Sequence, residues 1–280
     1  MGICDGRVAI VTGAGRGLGR AHALALAAQG ARVVINDLGS AATGEGADAS
    51  PAAQVVAEID AMGGQAVADA SDAASWDGAK AMVDLALERF GRLDVVVNNA
   101  GILRDRMLIN MTEDEWDSVT RVHLKSTFAV THHAANHWRL MSKKGEQPDA
   151  RVINTTSHSG LFCNIGQANY AAAKAGIASF SIVAARELAR YGVTVNAIAP
   201  RATTRMTEGL REWTPEQLEK RKPDWVAALV AWLAMTASAV AQDATAEASL
   251  DPAALGPGIL AAHAASRKNA GIDHGVELDP

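Results

Sequence analysis

Residues 12–19 read Thr12-Gly13-Ala14-Gly15-Arg16-Gly17-Leu18-Gly19. They follow the apolar run 7–11, RVAIV, and precede an Ala- and Leu-rich stretch at 20–29, so the spacing predicts a glycine turn between a strand and a helix. Glycines let the backbone turn tightly and approach a pyrophosphate, whose charge suits the amides and dipole of a helix N-terminus. Gly13, Arg16, Gly17, Leu18 and Gly19 are thus the first candidates for dinucleotide contact. Such a turn also serves as an ordinary strand-to-helix connection, so other parts of the chain must supply the ligand's remaining partners.

Outward from this turn, short β-branched runs recur at 7–11, 32–36, 65–68, 93–98, 151–155 and 194–198. Between them lie segments long enough for helices, such as 20–29, 76–90 and 171–190, which close on Gly30, Gly91 and Gly192. Parallel strands need crossover helices, and strands covered on both faces become almost wholly apolar, as in VVIND and DVVVN. The pattern predicts an α/β fold: a doubly wound parallel sheet of the Rossmann type in a single domain, with ligands bound beyond the C-terminal ends of the strands. Residues 38–50 are expected to form a long loop before a helix opening near Pro51. The catalytic unit is expected to span 1–237, with a substrate lid at about 203–222, and 238–280 to form an atypical C-terminal extension of the same domain.

The 280 residues are 49% hydrophobic and 20% charged, and 26 Lys and Arg stand against 31 Asp and Glu. That balance supplies no basic excess for nucleic acid or an anionic membrane, so neither is expected as a partner. Cys4 and Cys163 lack the spacing of a zinc site or a redox pair and are too few for a disulfide scaffold, which fits a reducing, cytoplasmic setting. The N-terminus has no secretion-signal pattern, no apolar run approaches about 18 residues, and the chain ends in ELDP. His132, His133 and His137 lack a nearby carboxylate or cysteine ligand, so no metal is expected.

The strand ends carry the chemistry. Asp37 closes the second strand, where a carboxylate accepts hydrogen bonds from both adenosine ribose hydroxyls and repels an added 2′-phosphate. This favours NAD, although Arg16 is a possible counterion for a 2′-phosphate. Asp72, with Ala73 beside it, follows the third strand and is placed to bind the adenine amino group or simply to close a turn. Asn98-Asn99-Ala100-Gly101 ends the fourth strand, and its small residues allow close approach by a cofactor. Tyr170 and Lys174 are four apart and so share one helix face. A phenol with a reference pKa of about 10 is a poor base near neutrality; an adjacent ammonium and a cationic nicotinamide would favour its phenolate. Ser157, just beyond INTTS, would hydrogen-bond a substrate oxygen as charge develops there.

Together TGAGRGLG, NNAG and Tyr170-Ala171-Ala172-Ala173-Lys174 resemble the short-chain dehydrogenase/reductase family over roughly residues 5–235. The resemblance implies the catalytic roles just given to Ser157, Tyr170 and Lys174, and contacts from Pro200, Ala202 and Thr204 to the nicotinamide end of the cofactor. His123 stands where many members carry an Asn of a water-linked proton relay, so it either joins such a relay or fills space. Arg201 stands where the family often has glycine.

NDLG, NNAGILRDR, RVHLKS and GQANYAAAK are similar to the dehydrogenase part of type 2 peroxisomal multifunctional enzymes. That likeness implies oxidation of a (3R)-hydroxyacyl-CoA with NAD, with 17β-hydroxysteroids or other secondary alcohols as alternatives. A catalytically silent NAD-binding module is the reading from another class. The lid is expected to present Leu210, Trp213 and Leu218 to a lipid-like substrate, and a homodimer, possibly a homotetramer, is expected.

Overall fold

The computed structural model describes residues 2–41, 43–46, 48–204 and 213–235. The expectations for Leu210, for much of the lid and for the extension 238–280 lie outside these residues. Among them, six strands form one parallel sheet: β1 (Val8–Thr12), β2 (Arg32–Asn36), β3 (Gln65–Asp69), β4 (Val95–Asn98), β5 (Ala150–Thr155) and β6 (Val193–Ile198). Their order is β3-β2-β1-β4-β5-β6, so the chain reverses direction across the sheet between β1 and β4. In such a sheet the crevice beyond that switch point is where ligands bind.

Helices cover both faces. On one side α1 (Gly17–Ala28) and α2 (Ser50–Ala61) join the later α9 (Pro223–Met235), and Leu26, Ile59 and Val230 are packed between helix and sheet. On the other side α3 (Trp76–Phe90), α5 (Ser126–Lys143) and α7 (Ala168–Leu188) enclose Met82, Trp138 and Ala184. Each large apolar side chain so buried contributes about 1.5–3 kcal/mol to folding. Trp138 also meets its polar requirement, since its indole N–H donates to Leu93 O at 2.8 Å.

The helix starts are set by local chemistry. Ser75 caps α3 by accepting from the Gly78 N–H, and the helix stops at Gly91, whose φ of 77° suits glycine. Thr112 and Glu115 form a capping box at the start of α4 (Glu113–Thr120). By contrast, Arg16 gives α1 no side-chain cap, so the first-turn amides keep their capacity for an anion.

Two elements begin earlier than the apolar pattern indicates. The first turn of α1 is Gly17-Leu18-Gly19, and glycine's poor helix propensity hides that start in the sequence. α7 begins at Ala168 rather than 171, which puts Tyr170 in its first turn and Lys174 one turn deeper. Between α4 and α5 the chain makes a π-helical bulge over Arg121–Lys125, which contains His123. Such bulges insert a residue into a helix and re-aim the side chains around it. No helix among the described residues is long and apolar enough to cross a membrane.

Candidate active site

The strand ends are joined by a polar network that fixes the floor of the crevice. The Thr12 hydroxyl accepts from the backbone N–H groups of Asn99 and Ala100 at 2.9 and 3.0 Å, and the Asn99 amide donates back to Thr12 O and Gly13 O. Asn98 donates to Asn154 at 2.8 Å and Asn154 to Ser181 at 2.9 Å, tying β4, β5 and α7 together. The glycine turn and Asn98-Asn99-Ala100-Gly101 therefore form one surface. Gly13 has a φ of +62°, and a Cβ there would fall 2.8 Å from Ala100 Cα, so a side chain is excluded by both conformation and space.

An open cleft extends from this surface, and every expected cofactor residue except Pro200 and Ala202 lines it. At one end, Asp37 accepts from the Gly15 N–H at 2.7 Å through one oxygen and from the Gly39 N–H at 2.6 Å through the other. The carboxylate is thereby oriented while each oxygen keeps a second lone pair for a hydroxyl donor. A Cβ on Gly15 would sit 2.8 Å from that carboxylate. Asp72 is less available than its sequence position indicates: it accepts from the Ala74 N–H and forms an ion pair with Arg121. Arg121, the first residue of RVHLKS, also lies in the cleft wall; the motif gives it no role, because its partner lies on a different element.

At the other end, α7 brings Tyr170 and Lys174 to the cleft. Lys174 is buried; its ammonium donates to Thr155 O at 2.6 Å and lies 5.7 Å from the centre of the Tyr170 ring. Burial lowers its pKa to about 7. Ser157, the N-cap of α6 (His158–Phe162), accepts from the Ser159 N–H at 3.2 Å. Burial raises the Tyr170 pKa, with the nearby Ser157 hydroxyl opposing the rise and Asp105 adding to it. The protein's own groups therefore favour the neutral phenol, and a phenolate requires added positive charge.

His123 is buried, and its ring meets that of Tyr170 edge-on at 5.1 Å. Nε2 lies 2.8 Å from Ile102 O and 3.1 Å from Ile102 N, while Nδ1 is buried with no protein partner among the described residues. Burial first, and the nearby Lys174 second, hold its pKa well below the ordinary value, so the imidazole is neutral. It also packs so closely under Gly101 that a Cβ there would fall 2.3 Å from its Cε1. One of its actions is therefore to support the turn after β4.

The buried lysine has a measurable consequence. Its folded pKa of about 7 lies below the value of about 10.4 expected in the unfolded chain. The folded state therefore gives up the proton first, and the cost of burying the charge is present below pH 7 and fades between about 7 and 10.4. Stability of the cofactor-free protein should rise with pH across that window by up to about 1.4 kcal/mol per unit, and Lys174→Met should lack this component. Urea unfolding of both proteins at several pH values tests it; parallel pH profiles would contradict the assignment.

Among the described residues no group of three or more His, Cys, Asp or Glu is placed to hold a metal ion. Trp213 of the expected lid lies against the Arg221 guanidinium, 3.7 Å from the ring centre, and Leu218 is exposed on α8 (Pro215–Glu219). The residues missed by the sequence reading, Arg121 and Asn169, act through side chains whose partners are distant in sequence. Asn169 is buried beside Tyr170; its amide donates to Arg104 O and Glu115 O, and its oxygen accepts the Tyr170 N–H.

Residues 7–216 match the short chain dehydrogenase family. Over 230 residues the chain is 48% identical to peroxisomal multifunctional enzyme type 2 of Mus musculus, covering 82% of this chain and 30% of that protein. Over 245 residues it is 47% identical to hydroxyacyl-CoA dehydrogenase ChsB1 of Mycobacterium tuberculosis, covering 84% of this chain and 74% of that one. The chain therefore spans less than a third of the mouse protein's length. A crystal structure of a short chain dehydrogenase from Mycobacterium avium superposes with a TM-score of 0.75 at 47% identity, covering 93% of this chain and 95% of that one.

Proposed function

Because the chain belongs to the short-chain dehydrogenase family and is an oxidoreductase acting on CH–OH groups, we propose that it interconverts (3R)-3-hydroxyacyl-CoA and 3-oxoacyl-CoA with NAD. The observation that carries this reading is one cleft with a ribose-type carboxylate, Asp37, at one end and Tyr170 and Lys174 at the other. The residues present fit a dinucleotide: α1 offers uncapped amides, and Gly13 leaves no room for a side chain between the glycine turn and the floor. When bound, the nicotinamide supplies the hydride acceptor for alcohol oxidation.

The remaining steps belong to the protein. Ser157 hydrogen-bonds the substrate oxygen and holds it toward Tyr170. Tyr170 takes the hydroxyl proton as the carbon loses its hydride, and returns it when the ketone is reduced. Lys174, whose burial lets its charge respond to what binds nearby, supplies positive potential to the phenol. Asp72 and Arg121 border the adenine end as an ion pair, so adenine recognition there involves both. Thr204 lines the cleft beside these residues, and the contacts expected of Pro200 and Ala202 with the nicotinamide rest on the family resemblance alone.

Asp37→Ala removes the repulsion toward a 2′-phosphate and the acceptor for two ribose hydroxyls. Its preference for NAD over NADP, measured as a ratio of kcat/KM, should fall by about ten- to a hundredfold. An unchanged ratio would exclude Asp37 from ribose recognition.

The acyl-CoA reading rests on the named activity of the mycobacterial relative together with the retained catalytic residues. NADH formation by the purified protein with 3-hydroxyacyl-CoAs, 17β-hydroxysteroids and simple secondary alcohols separates the substrate classes. Preferential turnover of the acyl-CoA supports the proposal, whereas steroid turnover alone overturns it. Exposed Phe128 and Leu140 on α5, with Ile182 and Val183 on α7, support a homodimer built on these helices. Light scattering after gel filtration tests that, and a monomer throughout would refute it. The two free cysteines fit a reducing cytoplasm.

A further inference from the structure

The loop that leaves β2 closes on itself. The Asp48 N–H donates to Leu38 O at 2.9 Å, and a Cβ on Gly39 would fall 1.7 Å from Asp48 O, so the two ends of 38–48 are pinched together. Inside it, the Ala41 N–H donates to Glu45 O at 2.7 Å and the Gly44 N–H to Ala41 O at 2.9 Å. A compact loop with a narrow neck can hold its shape while resting on a distant surface.

That distant surface is the segment after β4. The Arg104 side chain donates from Nε to Thr43 O at 2.6 Å, and its guanidinium lies 3.8 Å from Glu45 and 3.7 Å from Asp114. Gly44 packs against Ile102, because a Cβ on it would fall 3.0 Å from Ile102 Cδ1. β1 stands between β2 and β4 in the sheet, so a contact joining the loops after β2 and β4 crosses over the end of β1, where the glycine turn lies. Ala41, Gly44 and Ile102 all face the cleft.

Arg104 is also bound from behind. Its carbonyl accepts from the Asn169 amide at 3.0 Å, and the Asn169 oxygen accepts from the Tyr170 N–H at 2.7 Å. One residue thus holds the crossing loop with its side chain and the start of the catalytic helix with its main chain. We propose that Arg104 is a positioning residue that latches the 38–48 loop over the dinucleotide and sets how fast the dinucleotide leaves. The proposal rests on the dinucleotide-binding reading given above.

The test is the rate of NADH release from the purified protein, followed by NADH fluorescence on mixing with excess NAD. Arg104→Ala keeps the main-chain bond to Asn169 and should release NADH about ten- to a hundredfold faster, the scale of one lost charge-assisted hydrogen bond. Arg104→Lys, which can still donate to Thr43 O, should recover part of the difference. Independently of any cofactor, a glutamyl-specific protease should cut after Glu45 faster in Arg104→Ala than in the unaltered chain. Equal release rates and equal cleavage would overturn the latch while leaving NAD binding intact. Failure of the unaltered protein to bind NADH at all would overturn the dinucleotide reading, and the latch with it.

Discussion

Tyr170→Phe should bind NADH as the unaltered protein does and lose about 10²- to 10⁴-fold in kcat, the range for removing a general acid–base group. In activation free energy that is about 3–5 kcal/mol. Phenylalanine keeps the ring that meets His123 edge-on at 5.1 Å, so the packing at the start of α7 is preserved. What disappears is the hydroxyl that the proposed reaction uses to carry the proton. The variant therefore isolates chemistry from binding. Initial rates give kcat, and a fluorescence titration gives the NADH Kd. Undiminished turnover would remove Tyr170 from the mechanism, and loss of NADH affinity alone would reassign it to binding.

Gly19→Ala should be nearly as damaging, for a steric reason. A Cβ at this position would lie 2.0 Å from Gly13 O and 2.6 Å from the Asn99 side-chain amide. Neither neighbour is the loose end of a flexible chain: Gly13 O is backbone in the turn, and the Asn99 amide is held by Thr12 O at 3.0 Å. The turn and the segment after β4 must therefore separate, which moves the amides intended for the pyrophosphate. NADH affinity should fall by about a hundredfold and stability by about 1–3 kcal/mol, the usual cost of overpacking. Gly17→Ala gives the contrast. Its added carbon meets only Thr204 at 3.6 Å, leaving mainly the strain of a φ of +54°. NADH titration and urea unfolding of the two variants check the ranking, and a harmless Gly19→Ala would contradict the close packing of the turn.

The features legible from sequence are those set by local periodicity or by short spacing. Apolar runs such as VVIND and DVVVN report strands buried on both faces, and the glycine turn reports itself because only glycine tolerates its backbone and its neighbours. The four-residue spacing of Tyr170 and Lys174 needs nothing beyond helix geometry. Helix starts were less legible where glycine supplies the first turn, as at Gly17.

Long-range pairing was hidden for a different reason. Arg121 meets Asp72 only once the tertiary fold brings the π-helical bulge beside the end of β3, and no spacing rule connects residues on separate elements. The same holds for Asn169 and Arg104, and for the crossing of the 38–48 loop over the sheet. His123 was visible as a departure from a family pattern, but its neutral state and its packing under Gly101 depend on the π-helical bulge that buries it. Burial likewise decides the ionisation of Lys174, and burial cannot be read from a four-residue motif.

The most direct test of the central claim compares NADH formation from a (3R)-3-hydroxyacyl-CoA and from its (3S) enantiomer, with NAD as the cofactor and Tyr170→Phe as the control. The account predicts turnover of the (3R) substrate, little or none of the (3S) substrate, and loss of the (3R) rate in Tyr170→Phe. Turnover of the (3S) enantiomer in preference, or a (3R) rate indifferent to the loss of the Tyr170 hydroxyl, would contradict it.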